Sequence, residues 1–230
     1  MEFGARGGIP AGIELKLPKL THPEIPRSVV AYRSRRRSEP GQLFKFGKRR
    51  WLVSMLEQGA IRFAPASSYR DASLNVAIQD NELGFTYYPG KSGSPLTKLP
   101  RPAGADWVHM RHPSDFYVQC LSLHFAPRLF DDFEAHSCLI IYDANEFGRR
   151  VLGALRARFP DWFVTAFGMT YVDPDDPGDE PILLPTAKHM RYIYQQEQRI
   201  LCHPRTPVRH LDAVTIEVAS FGDIAEVVSV

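Results

Sequence analysis

The sequence predicts an α+β fold: a split, mainly antiparallel sheet with flanking helices. Three stretches carry that expectation. Phe116–Phe125 alternates, with Val118, Cys120, Ser122 and His124 on one side and Gln119, Leu121, Leu123 and Phe125 on the other, as a pleated strand requires. Ser137–Tyr142 is an almost continuous apolar run, the pattern of a strand buried on both faces. In Ala144–Phe159 the apolar positions Phe147, Val151, Leu152 and Leu155 fall at helical spacing behind Asp143, a residue suited to cap a helix.

In chain order, residues 1–27 hold Pro10, Pro18, Pro23 and Pro26 among glycines and read as an extended N-terminal arm. Residues 28–230 form the α+β domain, beginning with a strand over Ser28–Ser34 that contains Tyr32 and Arg33. Trp51–Gln58 reads as a helix stopped by Gly59, and Ala60–Ala64 as a strand ended by Pro65. Ala66–Ser73 is a small polar turn around Tyr69. Residues 74–115 carry little periodicity beyond a short helix near Leu74–Gln79, so a long loop insertion is expected around 80–115. Pro127–His136 is a short helix or turn, and Phe163–Val172 one strand. The segment from Asp173 to Pro181, with five acids in nine residues, matches no calcium loop and reads as a solvated turn. Lys188–Leu201 begins helix-like and ends alternating, which places Gln195, Glu197, Arg199 and Leu201 on one strand face. Ala213–Val218 is a strand, and Phe221–Val228 a helix or strand.

Bulk properties exclude several classes. At 230 residues, 44% apolar and 23% charged with formal net charge +2, the chain is neither disordered by composition nor polycationic. No apolar run reaches the roughly 18–20 residues that span a bilayer. The first residues lack the pattern of a secretion signal, so no membrane partner and a cytoplasmic location are expected. Cys120, Cys138 and Cys202 sit in apolar contexts and read as buried thiols.

Most chemical motifs are missing: no G-x-S-x-G elbow, no phosphate-cradling loop, no H-E-x-x-H. His109 and His112 fall in expected loop, and adjacent Cys202 and His203 point to opposite sides of a strand, so no metal site is expected. Arg33 to Arg50 carries eight Lys or Arg against one acid, with Phe44 and Phe46 interleaved. That cluster, with Arg35, Arg36 and Arg37 as its centre, is either a nucleic-acid-binding surface or a solvated basic loop. Glu197 is either half of a structural ion pair, with it and Arg199 pairing to neighbours as a surface strand ladder, or a catalytic carboxylate.

An arginine ending the first strand (Arg33), a serine inside a middle strand (Ser122) and a carboxylate on a late strand (Glu197), preceded by Gln195, resemble the Arg–Ser–Glu arrangement of the ADP-ribosyltransferase superfamily. The layout also resembles poorly characterised bacterial domains of unknown function in its Cys120-Leu121-Ser122 and Tyr-x-x-Glu-x-Arg elements. The resemblance implies NAD as substrate, with Glu197, Arg33 and Ser122 catalytic and Tyr32, Tyr69 and Gln195 binding it. Glu197 would stabilise the oxocarbenium-like ribose formed as nicotinamide leaves. Arg33 would hold pyrophosphate or ribose, Ser122 would support the carboxylate or the ribose by hydrogen bonding, and a tyrosine would stack on nicotinamide. The implied products are ADP-ribosylated macromolecule or hydrolysed NAD, in the setting of a bacterial toxin or defence effector. Nucleic acid is one candidate acceptor and an inhibitor protein a candidate partner. The alternative is a nucleic-acid-binding or protein-interaction domain without catalysis.

Overall fold

A computed structural model of the chain describes residues 41–88, 107–175 and 182–230. The expected arm at 1–27, the strand at Ser28–Ser34 and the site candidates Tyr32, Arg33, Arg35, Arg36 and Arg37 lie outside the described residues.

The fold is α+β, with a forked antiparallel sheet at its centre. Strand β5 (Tyr117–Ser122) runs the length of the fork's stem, paired along one edge with β10 (Glu197–Pro204), which pairs in turn with β7 (Trp162–Gly168). Its other edge is shared by two strands. β1 (Leu43–Gly47) meets it only at Phe44 opposite Ser122. β2 (Ala60–Pro65) meets it only through Ala64 and Pro65, opposite Val118 and Tyr117. From there β1 continues into β6 (Ser137–Ile141) and β12 (Ala225–Ser229), and β2 into β11 (Val214–Glu217). Between the arms, no β1 or β2 residue is registered against Gln119, Cys120 or Leu121.

Alternation along these strands produces two unlike faces. Leu43, Ile61, Phe63, Tyr117, Leu121, Leu139, Ile141, Ile200 and Cys202 form the main core with helices α1 (Arg49–Gln58) and α3 (Ala144–Arg158). Helix α1 contributes Leu52 and Met55, and α3 contributes Phe147, Val151 and Leu155. Each large apolar side chain so buried stabilises the fold by roughly 1.5–3 kcal/mol before entropy is counted. Asp143 caps α3 as expected, its carboxylate accepting from the Glu146 amide at 2.9 Å. Gly59 ends α1 at φ 66°, and a Cβ there would lie 2.1 Å from the Val218 carbonyl oxygen, so glycine is required.

The opposite face carries Phe44, Phe46, Cys138 and Ile140 against α2 (Arg128–Asp132), and Val118 and Leu201 against Phe116, Ala66 and Leu83. Cys120, Ser122, Glu197 and Arg199 belong to this face by register. It is roofed by the turn at Ala66–Arg70, the segment 71–83, and the 3-10 turn Met190–Gln195.

Several expectations are corrected here. Leu74–Gln79 is a series of turns and not a helix, because Asn75 and Asp71 side chains accept backbone N–H groups there instead. The region 80–115 is not one loop: β3 (Gly84–Tyr87) and β4 (Val108–Arg111) pair as a hairpin that places His109 in a strand. The expected strand Phe163–Val172 breaks at Met169, whose amide turns to the Glu197 carbonyl at 3.0 Å. Beyond it, β8 (Thr170–Val172) pairs parallel with β9 (Ala187–His189). The basic segment, where described, is not loop: Lys45 lies half-buried in β1, and Arg49 and Arg50 start α1. Of Phe221–Val228, only the part from Ala225 on lies in strand β12 (Ala225–Ser229), and residues 222–224 form a turn.

Candidate active site

Two strands with a two-residue repeat bring Ser122 and Glu197 together. The residues are direct partners in the β5–β10 ladder, with Phe44 of β1 on the other side of Ser122. The expectation that Gln195 shares the strand face is corrected. Gln195 ends the 3-10 turn, and Gln196 adopts a left-handed conformation (φ 39°) that reverses the chain into β10. That conformation costs a non-glycine residue on the order of 1–2 kcal/mol, and it delivers Gln195 and Glu197 to one pocket from two directions.

The pocket has a volume of 180 Å³ and is walled by Phe44, Phe46, Tyr69 and Phe133, with Lys45, Glu82, Cys120, Ser122, Lys188, Gln195 and Glu197 supplying its polar groups. Of the site residues expected from sequence, Glu197, Ser122, Tyr69 and Gln195 all line it. Arg33 and Tyr32 lie outside the described residues.

Glu197 is held by two cations. Lys188 Nζ donates to its Oε2 at 2.6 Å, and Arg199 Nε donates to its Oε1. Arg199 also forms a fork with both carboxylate oxygens of Glu82, one contact at 2.6 Å. All four side chains are at most 6% exposed, and Arg199 is fully buried. Their charges sum to zero, which is how four ions are tolerated away from water. Burial alone would raise the Glu197 carboxyl, but Arg199 and Lys188 outweigh it and hold it far below the ordinary range. Burial likewise opposes the charge on Lys188, and Glu197 overrides it, so the ammonium is raised. For Glu82, burial wins over Arg199 and Lys188 and the carboxyl is raised. Asp80, partly exposed, lies 3.9 Å from Lys188 at the edge of this cluster.

Second contacts fix the orientation. Lys188 also donates to the Gln195 side-chain oxygen at 2.9 Å, and Gln195 Nε2 donates to the Ala77 carbonyl at 2.9 Å. Tyr171 Oη accepts the Glu197 amide at 2.7 Å. The Ser122 hydroxyl is committed to main chain, at 2.8 Å from the Gln195 carbonyl and 2.9 Å from that of His124. It therefore positions the turn carrying Gln195 and makes no hydrogen bond to the carboxylate, which corrects the first of the two roles the resemblance implies for it. Tyr69 makes no side-chain hydrogen bond among the described residues, and burial pushes its phenol well above the usual value. Burial pushes the Cys120 thiol up to about 12, with the Glu197 charge adding to it, so it is a neutral wall and no nucleophile.

Glu82, Lys188 and Lys45 line the pocket and were not singled out from the sequence. Lys188 sits nine residues before Glu197 across a 3-10 turn, a spacing with no regular periodicity. Glu82 comes from a turn in the stretch left unassigned. Lys45 lies between Phe44 and Phe46, which is also the pattern of an ordinary solvent-facing strand residue. Among the described residues no group of three or more His, Cys, Asp or Glu side chains is placed to hold a metal ion. No helix among them is long and apolar enough to cross a membrane. No protein-family model, no curated protein and no solved structure matches this chain.

Proposed function

We propose that the chain is an NAD-consuming enzyme of the ADP-ribosyltransferase type. The observation that carries this reading is the convergence of Ser122, Glu197, Gln195 and Tyr69, widely separated in sequence, on one pocket with Ser122 directly opposite Glu197. At 180 Å³ the pocket suits only the nicotinamide–ribose end of the dinucleotide, since drug-sized ligands need roughly 300–1,000 Å³. The rest of NAD would extend outside it.

In this reading the bond between ribose and nicotinamide breaks with its electron pair leaving on nicotinamide. Positive charge develops on the ribose, and water or an acceptor group completes the new bond at the same carbon. Glu197 stays ionised through this step because Lys188 and Arg199 stabilise its charged form. Each of its oxygens accepts one hydrogen bond from these cations, and a carboxylate oxygen has room for a second. A ribose hydroxyl can therefore be bound without dismantling the cluster. Tyr69, Phe44, Phe46 and Phe133 supply apolar and aromatic walls for the nicotinamide ring. A bacterial toxin or defence effector acting in a cytoplasm and restrained by an inhibitor protein is the setting this activity fits.

The test is nicotinamide release from NAD, followed chromatographically for wild type and Glu197→Gln, with folding of both checked by circular dichroism. Wild type should release nicotinamide and folded Glu197→Gln should lose at least 100-fold. No release by wild type across varied acceptors, or equal release by the two, sinks the proposal.

A second reading, nucleic-acid binding, is favoured by one described feature. Trp51 is exposed at the start of α1, with the Arg50 guanidinium 4.6 Å over its ring and Lys48 and Arg49 adjacent. Such a cation-flanked aromatic stacks on bases of single strands. Binding to a single-stranded oligonucleotide should weaken with salt, and fall about tenfold for Trp51→Ala and further on charge reversal at Arg35, Arg36 and Arg37. Salt-independent binding, or none, removes this reading.

A further inference from the structure

Lys45 stands apart from the neutral cluster beside it. Its side chain enters the gap between the two arms of the sheet, where Nζ donates to the Cys120 carbonyl at 2.9 Å. With the Gln119 carboxamide turned so that its nitrogen donates to the Arg62 carbonyl at 2.9 Å, its oxygen accepts from Lys45 at 3.2 Å. Both acceptors are neutral, and no carboxylate of the described residues lies within ion-pair distance of Lys45. An ammonium has three N–H groups, so one is left without a partner among the described residues.

The other cations of the pocket have carboxylate partners. Lys188 pairs with Glu197 and lies 3.9 Å from Asp80, and Arg199 pairs with Glu82 and Glu197. Cys120 and Tyr69 stay protonated and neutral, because burial disfavours their anions. Lys45 is thus the pocket cation with no carboxylate of the described residues within ion-pair distance. Half-buried and without an ion-pair partner among the described residues, such a charge is partly desolvated at a cost. Burial accordingly lowers the Lys45 ammonium from its usual value, with Cys120 and Glu197 opposing only in part. A second donor faces the same space: the Tyr69 hydroxyl, which has no hydrogen-bond partner among the described residues and lines the pocket with Lys45.

We propose that this pocket is a binding site for a small planar monocarboxylate, whose two oxygens take the Lys45 ammonium and the Tyr69 hydroxyl while its body lies between Phe44, Phe46 and Phe133. A cation without a carboxylate partner among the described residues matches an anionic ligand, and the ammonium and the hydroxyl match the two oxygens of a carboxylate. The volume of 180 Å³ limits the ligand to about the size of one substituted ring. This inference goes beyond the NAD reading and stands without it: a carboxylate bound here would compete with the nicotinamide end of NAD.

The test is calorimetric titration of the full chain with benzoate, with benzamide as the neutral isostere and inorganic phosphate as the competing anion. Wild type should bind benzoate saturably and at least tenfold more tightly than benzamide or phosphate. Lys45→Met should lose binding at least tenfold. Tyr69→Phe, which removes one oxygen and leaves the fold intact, should lose about threefold to tenfold, which keeps the test decisive if Lys45→Met does not fold. No saturable benzoate binding, benzamide or phosphate binding as tightly, or undiminished binding by folded Lys45→Met or by Tyr69→Phe overturns the proposal. Nicotinamide release is scored separately, so benzoate binding without NAD turnover removes only the NAD reading, and turnover without benzoate binding removes only this one.

Discussion

Two clusters in this molecule have the same ionic composition and opposite surroundings. On α3, Glu146 pairs with Arg149 and Arg150, and Arg150 reaches Asp223, at the surface. On the pocket face, Glu197 pairs with Lys188 and Arg199, and Arg199 reaches Glu82, with water almost wholly excluded. Each set has two cations and two carboxylates. In the first, solvent would screen any charge left unpaired. In the second, removing one member strands a charge that cannot be hydrated. The surface set is therefore tolerant and the buried set all-or-nothing. An interior of apolar side chains of similar volume would be as stable as the buried set, so stability alone does not explain its presence. On the proposed reading, its place in the pocket wall does.

The largest expected effect breaks the buried set. Arg199→Met leaves Glu82 and Glu197 without their common partner and should lower unfolding free energy by about 3–5 kcal/mol in a denaturant titration. Combining it with Glu82→Leu, Glu197→Leu and Lys188→Met removes the stranded charges. Most of the loss should return, with any pocket function abolished. A quadruple variant no more stable than the single one would mean that the cluster is a scaffold requirement and not a functional one.

The smallest expected effect is at the surface. The side-chain hydrogen bonds from Arg149 and Arg150 hold the Glu146 carboxyl down to about 2 from an ordinary 4.5. Its folded value is depressed, so its contribution to stability is fully present above the unfolded value and is lost as pH falls from about 4.5 towards 2. Following the Glu146 carboxyl carbon by NMR should give a midpoint near 2, moving up as salt is added. Glu146→Gln should leave the unfolding midpoint at neutral pH close to wild type, where Arg199→Met moves it far.

The contrast also shows what a one-dimensional pattern can carry. Ser122 and Glu197 were legible because each sits in a strand long enough for the two-residue alternation to declare its face. The α3 cluster was legible in the same sense, since three of its members lie within one helical turn or so of each other. Lys45, Glu82 and Lys188 were not. Glu82 reaches Arg199 across 117 positions from a turn without periodicity, and Lys188 reaches Glu197 across a turn whose geometry depends on Gln196. Lys45 sits where strand alternation predicts a solvated side chain. Only the divergence of β1 and β2 along β5, a property of the whole sheet, gives it a place inside.

That divergence has a consequence for how the pocket can change over evolutionary time. Where a continuous sheet would have bonded Cys120 to a neighbouring strand, its carbonyl is instead presented to Lys45. The base of the pocket is therefore main chain, which substitution cannot replace. The Cys120 carbonyl that orients the Lys45 ammonium is inherited with the fold, whereas Phe44, Phe46 and Phe133 are side chains that substitution can reshape. If the proposed carboxylate site holds, descendants of this chain that keep Lys45 would be expected to differ in the shape of the ligand they take and to agree on its charged end.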